Sequence, residues 1–168
     1  NDEVVGEEAR SLFADAKVML QDLIDADSLH PKGVFGLFPA NSVDDDIVIY
    51  HDENRDRVLA TACHLRQQTE KPKGANYCLS DYVAPQSTGL QDYIGAFAVT
   101  AGLEEDDLAS AFEKQGDDYN SIMVKAVSDR LAEAFAEYLH LQVRKQYWAF
   151  APDENLENDL LIREKYQG

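Results

Sequence analysis

Basic residues are scarce in this chain. Its 168 residues hold 15 Lys and Arg against 32 Asp and Glu, a formal net charge of −17. Nucleic-acid backbones and anionic membrane surfaces are gripped by clustered Lys and Arg, so the balance excludes both as partners. It permits a cationic ligand or a basic partner surface. Cysteine is scarcer still. Cys63 and Cys78 stand alone with no CxxC spacing, which excludes a disulfide framework and a zinc knuckle. Both lie in apolar or strand-like contexts, so two buried, reduced thiols in a reducing cytoplasm are expected. No apolar run approaches the roughly 20 residues of a membrane span. The opening residues are acidic, and no basic signal-peptide start is read there. Glycine-rich phosphate loops are missing, as is the spacing of a calcium loop around the acidic turns at 44–46 and 52–56. Ser80 and Ser87 lack a nucleophile-elbow context. The four histidines, His30, His51, His64 and His140, are far apart in sequence, and no metal site or catalytic residue is expected from them.

What is there is a globular pattern, 45% hydrophobic and 28% charged. Residues 3–26 place Val5, Ala9, Leu12, Phe13, Ala16, Met19, Leu20, Leu23 and Ile24 at spacings of three and four, which predicts a helix. A turn follows at 30–33. Residues 34–39 then read as a short buried strand, with Gly36 marking a bulge or a close backbone approach. Residues 41–46 read as a turn and 47–50 as the hairpin partner. Residues 57–65 are extended or the start of a helix. Residues 66–92 are irregular around an apolar island at 77–83 that should pack on the core. Residues 93–99 are a fourth strand.

Helices follow. One spans 103–115 and opens with Glu104, Glu105, Asp106 and Asp107, acids suited to a helix N-terminus. Asp117 or Asp118 should cap a long helix from 119 to about 150, closed by Pro152. Asn155 should cap a last helix through Leu156, Leu160 and Leu161. Met123, Val127, Leu131, Ala134, Phe135, Tyr138 and Leu139 form the main stripe of the long helix. Ile122, Ala126 and Tyr147 lie on its other flank. The order of elements predicts an α+β fold: an antiparallel sheet with an N-terminal helix and a C-terminal group of helices, in a single domain over 1–168.

One acidic feature invites two readings. Glu133 and Glu137 lie one turn apart on the long helix, with Arg130 on the same side. They form either a surface ladder worth a few tenths of a kcal/mol, or a carboxylate site for a cation in a partly covered cleft. Glu164 near the chain end is a second such carboxylate. Lys71 with Lys73, and Arg144 with Lys145, are candidate basic spots for an acidic partner.

Read as whole words, the chain resembles a known family. VFGLFPAN at 34–41, LRQQTEK at 65–71, NYCL at 76–79, DYIGAFAV at 92–99, DRLAEAFAE at 129–137 and LIREKYQG at 161–168 all resemble the C-terminal reactivation domain of cobalamin-dependent methionine synthase. The resemblance implies a module of a large methyltransferase that carries a methyl group from methyltetrahydrofolate, through cobalamin, to homocysteine. The module would bind S-adenosylmethionine and support reductive methylation of inactive cob(II)alamin. The cobalamin would be held by a neighbouring domain of the same enzyme, and flavodoxin or a related flavoprotein would supply the electron. S-adenosylmethionine carries a sulfonium cation, so the resemblance makes Glu133 and Glu164 the expected ligand-lining residues. It also implies that this is about the middle half of the family domain, truncated at both ends. The family's Arg-Pro-Ala-Pro-Gly-Tyr ligand motif would begin two residues beyond Gly168, and little ligand binding is expected of the isolated chain. The alternative is a docking module that contacts the cobalamin domain or a flavoprotein without a ligand of its own.

Overall fold

A computed structural model of the protein describes residues 2–166. Helix α1 (Asp2–Asp25) leads into strands β1 (Lys32–Val43), β2 (Asp46–Tyr50), β3 (Val58–Ala62) and β4 (Asp92–Thr100). Helices α2 (Glu105–Lys114), α3 (Asp118–Gln142) and α4 (Asn158–Ile162) follow, with a π-helical turn, Val143–Tyr147, directly after α3. The strand order is β3-β2-β1-β4, and β1 with β2 and β2 with β3 pair antiparallel. The fold is therefore α+β, as expected. The chain forms two compact units, residues 1–34 with 98–168, and residues 35–97.

The core of the first unit is Met19, Leu23, Ala109, Met123, Val124 and Val127, drawn from α1, α2 and α3. Burying such a side chain contributes about 1.5–3 kcal/mol. Asp117 caps α3 by accepting the Asn120 N–H at 3.1 Å. The apolar stripe is narrower than its sequence suggests. Met123, Val127 and Leu139 are buried, but Tyr138 is exposed. On α1, Leu12 and Phe13 are exposed. They line an apolar groove of about 520 Å³ with Leu20, Met123 and Val127.

Two boundaries differ from expectation. The α-helix stops at Gln142, and the Trp148 N–H reaches back five residues to the Val143 carbonyl at 2.9 Å. Ala149 is left-handed (φ 60°), so the chain turns away before Pro152, which is not the terminator. The last helix starts at Asn158, behind Glu157 and not Asn155. The Glu157 carbonyl accepts the first helical N–H groups, from Leu160 at 2.9 Å and Leu161 at 3.1 Å.

In the second unit, β1 runs through the expected turn at 41–43. Asn41 and Ser42 are buried strand residues because their polar groups are satisfied. The Asn41 amide donates to the Ala84 and Leu90 carbonyls, and the Ser42 hydroxyl donates to the Val83 carbonyl. The hairpin turn is only Asp44-Asp45, with Asp44 at φ 54°. The buried stretch of β1 is residues 39–42, while Val34 and Phe38 are exposed. Gly36 lies against the exposed Phe38 ring, and a Cβ there would sit 2.7 Å from the ring tip, so the ring would have to shift. Residues 58–62 resolve as a strand. The apolar island packs by half: Cys78 and Val83 are buried, whereas Tyr77, Leu79 and Tyr82 face water. Arg66 fastens it, bonding Asp45 and Asp81 at 2.7 Å each and the Asn76 carbonyl at 2.9 Å. Cys63 is exposed, against the expectation of burial, because it lies just past the end of β3, while Cys78 donates its thiol to the Asp45 carbonyl.

Candidate functional site

Glu133 sits on the exposed side of α3. Its carboxylate meets Arg130 Nη1 at 2.9 Å, and both side chains are mostly in water, at 62% and 73% exposure. That geometry is the surface pair of the first reading. One turn further on, Glu137 lines a groove of about 440 Å³ with Tyr138, Leu141, Asn158, Leu161 and Glu164. Glu164 and Glu137 thus line the same groove, and Glu133 lies outside that lining.

Glu164 owes its place to the end of α4. Its N–H bonds the Leu161 carbonyl at 2.9 Å, and the Lys165 N–H bonds Leu160 at 3.0 Å. Glu164 itself is left-handed, at φ 53°. That position usually takes glycine, so a glutamate there carries a backbone cost. The groove joins two carboxylates to a phenol and aliphatic walls. Such a set favours a ligand with a positive charge and an apolar body.

Arg144, read in the sequence as a basic spot, has a different place. Arg144 is not a surface spot for an acidic partner, because its side chain is 1% exposed. Its Nε and Nη2 donate to the two oxygens of Glu154, at 2.8 and 2.7 Å. Its Nη1 donates to His140 Nδ1 at 2.8 Å. The Tyr166 ring covers its face at 4.1 Å and meets the His140 ring edge-on at 5.1 Å. Lys145 is engaged too, donating Nζ to the Glu154 carbonyl at 2.6 Å. The bonds from Arg144 hold the Glu154 carboxyl below the usual glutamate range. Burial, and then the adjacent guanidinium, push His140 below the usual histidine range. Because Arg144 can only donate, His140 Nδ1 is the acceptor and the neutral ring carries its proton on Nε2. The His140–Arg144 spacing of four and the acid at 154 were the available signals. Burial, which gives them meaning, is not written in the sequence.

Of the other basic spots, Lys71 bonds Gln67 and the Ala75 carbonyl and lies over Tyr77. His30 faces Glu104 at 3.2 Å. No cluster of His, Cys, Asp or Glu that could hold a metal occurs among the described residues, and none of their helices is long and apolar enough to cross a membrane.

Comparison with known proteins identifies the family. A solved structure of the MetH reactivation domain bound to AdoHcy is 66% identical to this chain and superposes with a TM-score of 0.94. The match covers 99% of this chain and 51% of that one, so this chain spans about half the length of the solved relative. Residues 1–168 match the family described as vitamin B12 dependent methionine synthase, activation domain. The match runs the length of the sequence and includes α3 and α4, which carry the carboxylate groove, and the chain belongs to this family of activation domains.

Proposed function

We propose that this segment binds S-adenosylmethionine within a cobalamin-dependent methionine synthase and supports the reductive methylation of inactive cob(II)alamin. One observation carries the reading: a 66% identical reactivation domain, solved with AdoHcy, shares 99% of this chain. AdoHcy differs from S-adenosylmethionine by one methyl group and by the positive charge on sulfur. When bound, S-adenosylmethionine supplies a methyl cation equivalent to the cobalt. The residues here bind and orient. Glu164, with Glu137 across the groove, favours a sulfonium over the neutral thioether. At about 4 Å, a carboxylate and a cation attract by about 1 kcal/mol in water and about 4 kcal/mol near a protein surface. Glu133, outside that groove and paired with Arg130 on the water-rich side of α3, acts only as a more distant charge that Arg130 and water screen. None of the three needs to act as a base, since methyl transfer to cobalt removes no proton.

The partners in this reading are the cobalamin-binding domain of the same enzyme and flavodoxin or a related flavoprotein. A docking role through basic spots loses Arg144, which is buried against Glu154.

The test is calorimetry on the full-length enzyme. Glu164→Gln is expected to weaken S-adenosylmethionine about tenfold, which is 1.4 kcal/mol, and AdoHcy about twofold or less. Equal losses for the two ligands, or no loss for either, would remove the charge argument.

A further inference from the structure

Helix α4 has only five residues and buries none of them. A helix so short is not stable by itself. Yet it must hold Glu164 at its end in a left-handed conformation. What holds it is visible on either side. Glu154 lies before α4 and Tyr166 lies after it. Both are fastened to the same guanidinium, one by a two-pronged ion pair and the other by a stacked ring at 4.1 Å. Tyr166 is two residues beyond Glu164.

We infer that Arg144 is a positioning residue: the π-helical turn carries its guanidinium to the point where Glu154 and Tyr166 converge, and that bracket sets Glu164 in the carboxylate groove. The cost of withdrawing a charge from water is several kcal/mol, and it is offset only where geometry and bonding are complete. Here Nε, Nη1 and Nη2 each have a partner, and the face is covered. A lysine could not reproduce this, because it lacks both the planar fork and the stacking face. The π turn has a reason in the same terms. It begins directly after the last α-helical position, Gln142, where regular α-helical bonding stops, and it carries Arg144, whose side chain meets Glu154.

This inference rests on the proposed ligand-binding role of Glu164, and the experiment separates the two. S-adenosylmethionine affinity is measured by calorimetry in the full-length enzyme for Tyr166→Leu, Tyr166→Phe, Arg144→Lys, Glu164→Gln and the double variant Tyr166→Leu/Glu164→Gln. Circular dichroism monitors folding. Tyr166→Leu and Arg144→Lys are each expected to weaken binding about tenfold, and Tyr166→Phe, which keeps the ring face, by less than about twofold. The double variant is expected to bind no more weakly than Glu164→Gln alone, because Tyr166 acts through Glu164. Fully multiplied losses in the double variant, or wild-type affinity in Tyr166→Leu, would overturn the positioning role and leave the binding role standing. Wild-type affinity in Glu164→Gln would overturn the binding role, and the positioning role with it.

Discussion

Arg144 and Glu154 are 1% and 6% exposed, so neither charge has water to fall back on. Arg144→Met strands the Glu154 carboxylate and is expected to cost about 3–5 kcal/mol in urea unfolding. Replacing both with apolar residues of similar volume should recover most of that loss, because the stranded charge is gone. His140 adds a pH dependence. Its folded-state pKa lies below the ordinary value of 6.5, since burial and Arg144 oppose the proton more than Glu137 and Glu154 favour it. The unfolded chain then binds the proton more readily. The His140 contribution is whole above pH 6.5 and declines as pH falls from there to the depressed value. A histidine NMR titration should find the His140 midpoint below 6.5, and unfolding at pH 7.5 and 5.5 should show greater stability at the higher pH. A second window lies lower. Arg66 and the Cys78 N–H hold Asp81 at about 2, against an ordinary 3.8, so its contribution is whole above 3.8 and is lost as pH falls from there to about 2. Among single residues, helix spacing singled out Glu133 with Glu137, and the resemblance favoured Glu133 and Glu164. Of these, Glu137 and Glu164 line the groove and Glu133 does not. Composition could not separate Arg144 from a surface arginine. A charge in sequence looks the same whether water or a carboxylate surrounds it.

At the scale of elements, periodicity was most legible where one face is buried. Helix α1 and helix α2 fall close to their expected bounds, and Asp117 caps α3 as its position suggests. Asp117→Ala is expected to destabilise the protein by about 1 kcal/mol, read as a lower urea midpoint at unchanged slope. Legibility failed where polar residues sit inside regular structure. Asn41 and Ser42 look like turn formers, yet they extend β1 because Ala84, Leu90 and Val83 supply partners from more than 40 residues away. The end of α3 failed for a related reason. No proline or glycine marks the π turn; a buried ion pair ten residues apart does.

For the molecule as a whole, the sequence signals of order and class were sound: helix, antiparallel strands, helices. The net charge of −17 acts across that whole surface. Like charges repel in the compact state, and salt screens them over about 10 Å at 0.1 M. Raising KCl from 0.02 to 0.3 M is expected to raise the melting temperature by several degrees, measured by calorimetry; a fall would show that attractive pairs such as Arg66–Asp81 outweigh the repulsion. The unit that holds the carboxylate groove is discontinuous, built from residues 1–34 and 98–168 with 35–97 between. That arrangement has a consequence for synthesis. Asp15 and its partner Tyr119 are separated by 104 residues. At about 5–20 residues per second, α1 leaves the ribosome about 5–20 s before α3. The hairpin of β1 and β2 can close in microseconds once made, whereas Met19 and Leu23 wait without partners. A nascent chain of this protein therefore presents an unpaired amphipathic helix to the ribosome exit and its chaperones for seconds, and that interval is when it is most open to aggregation.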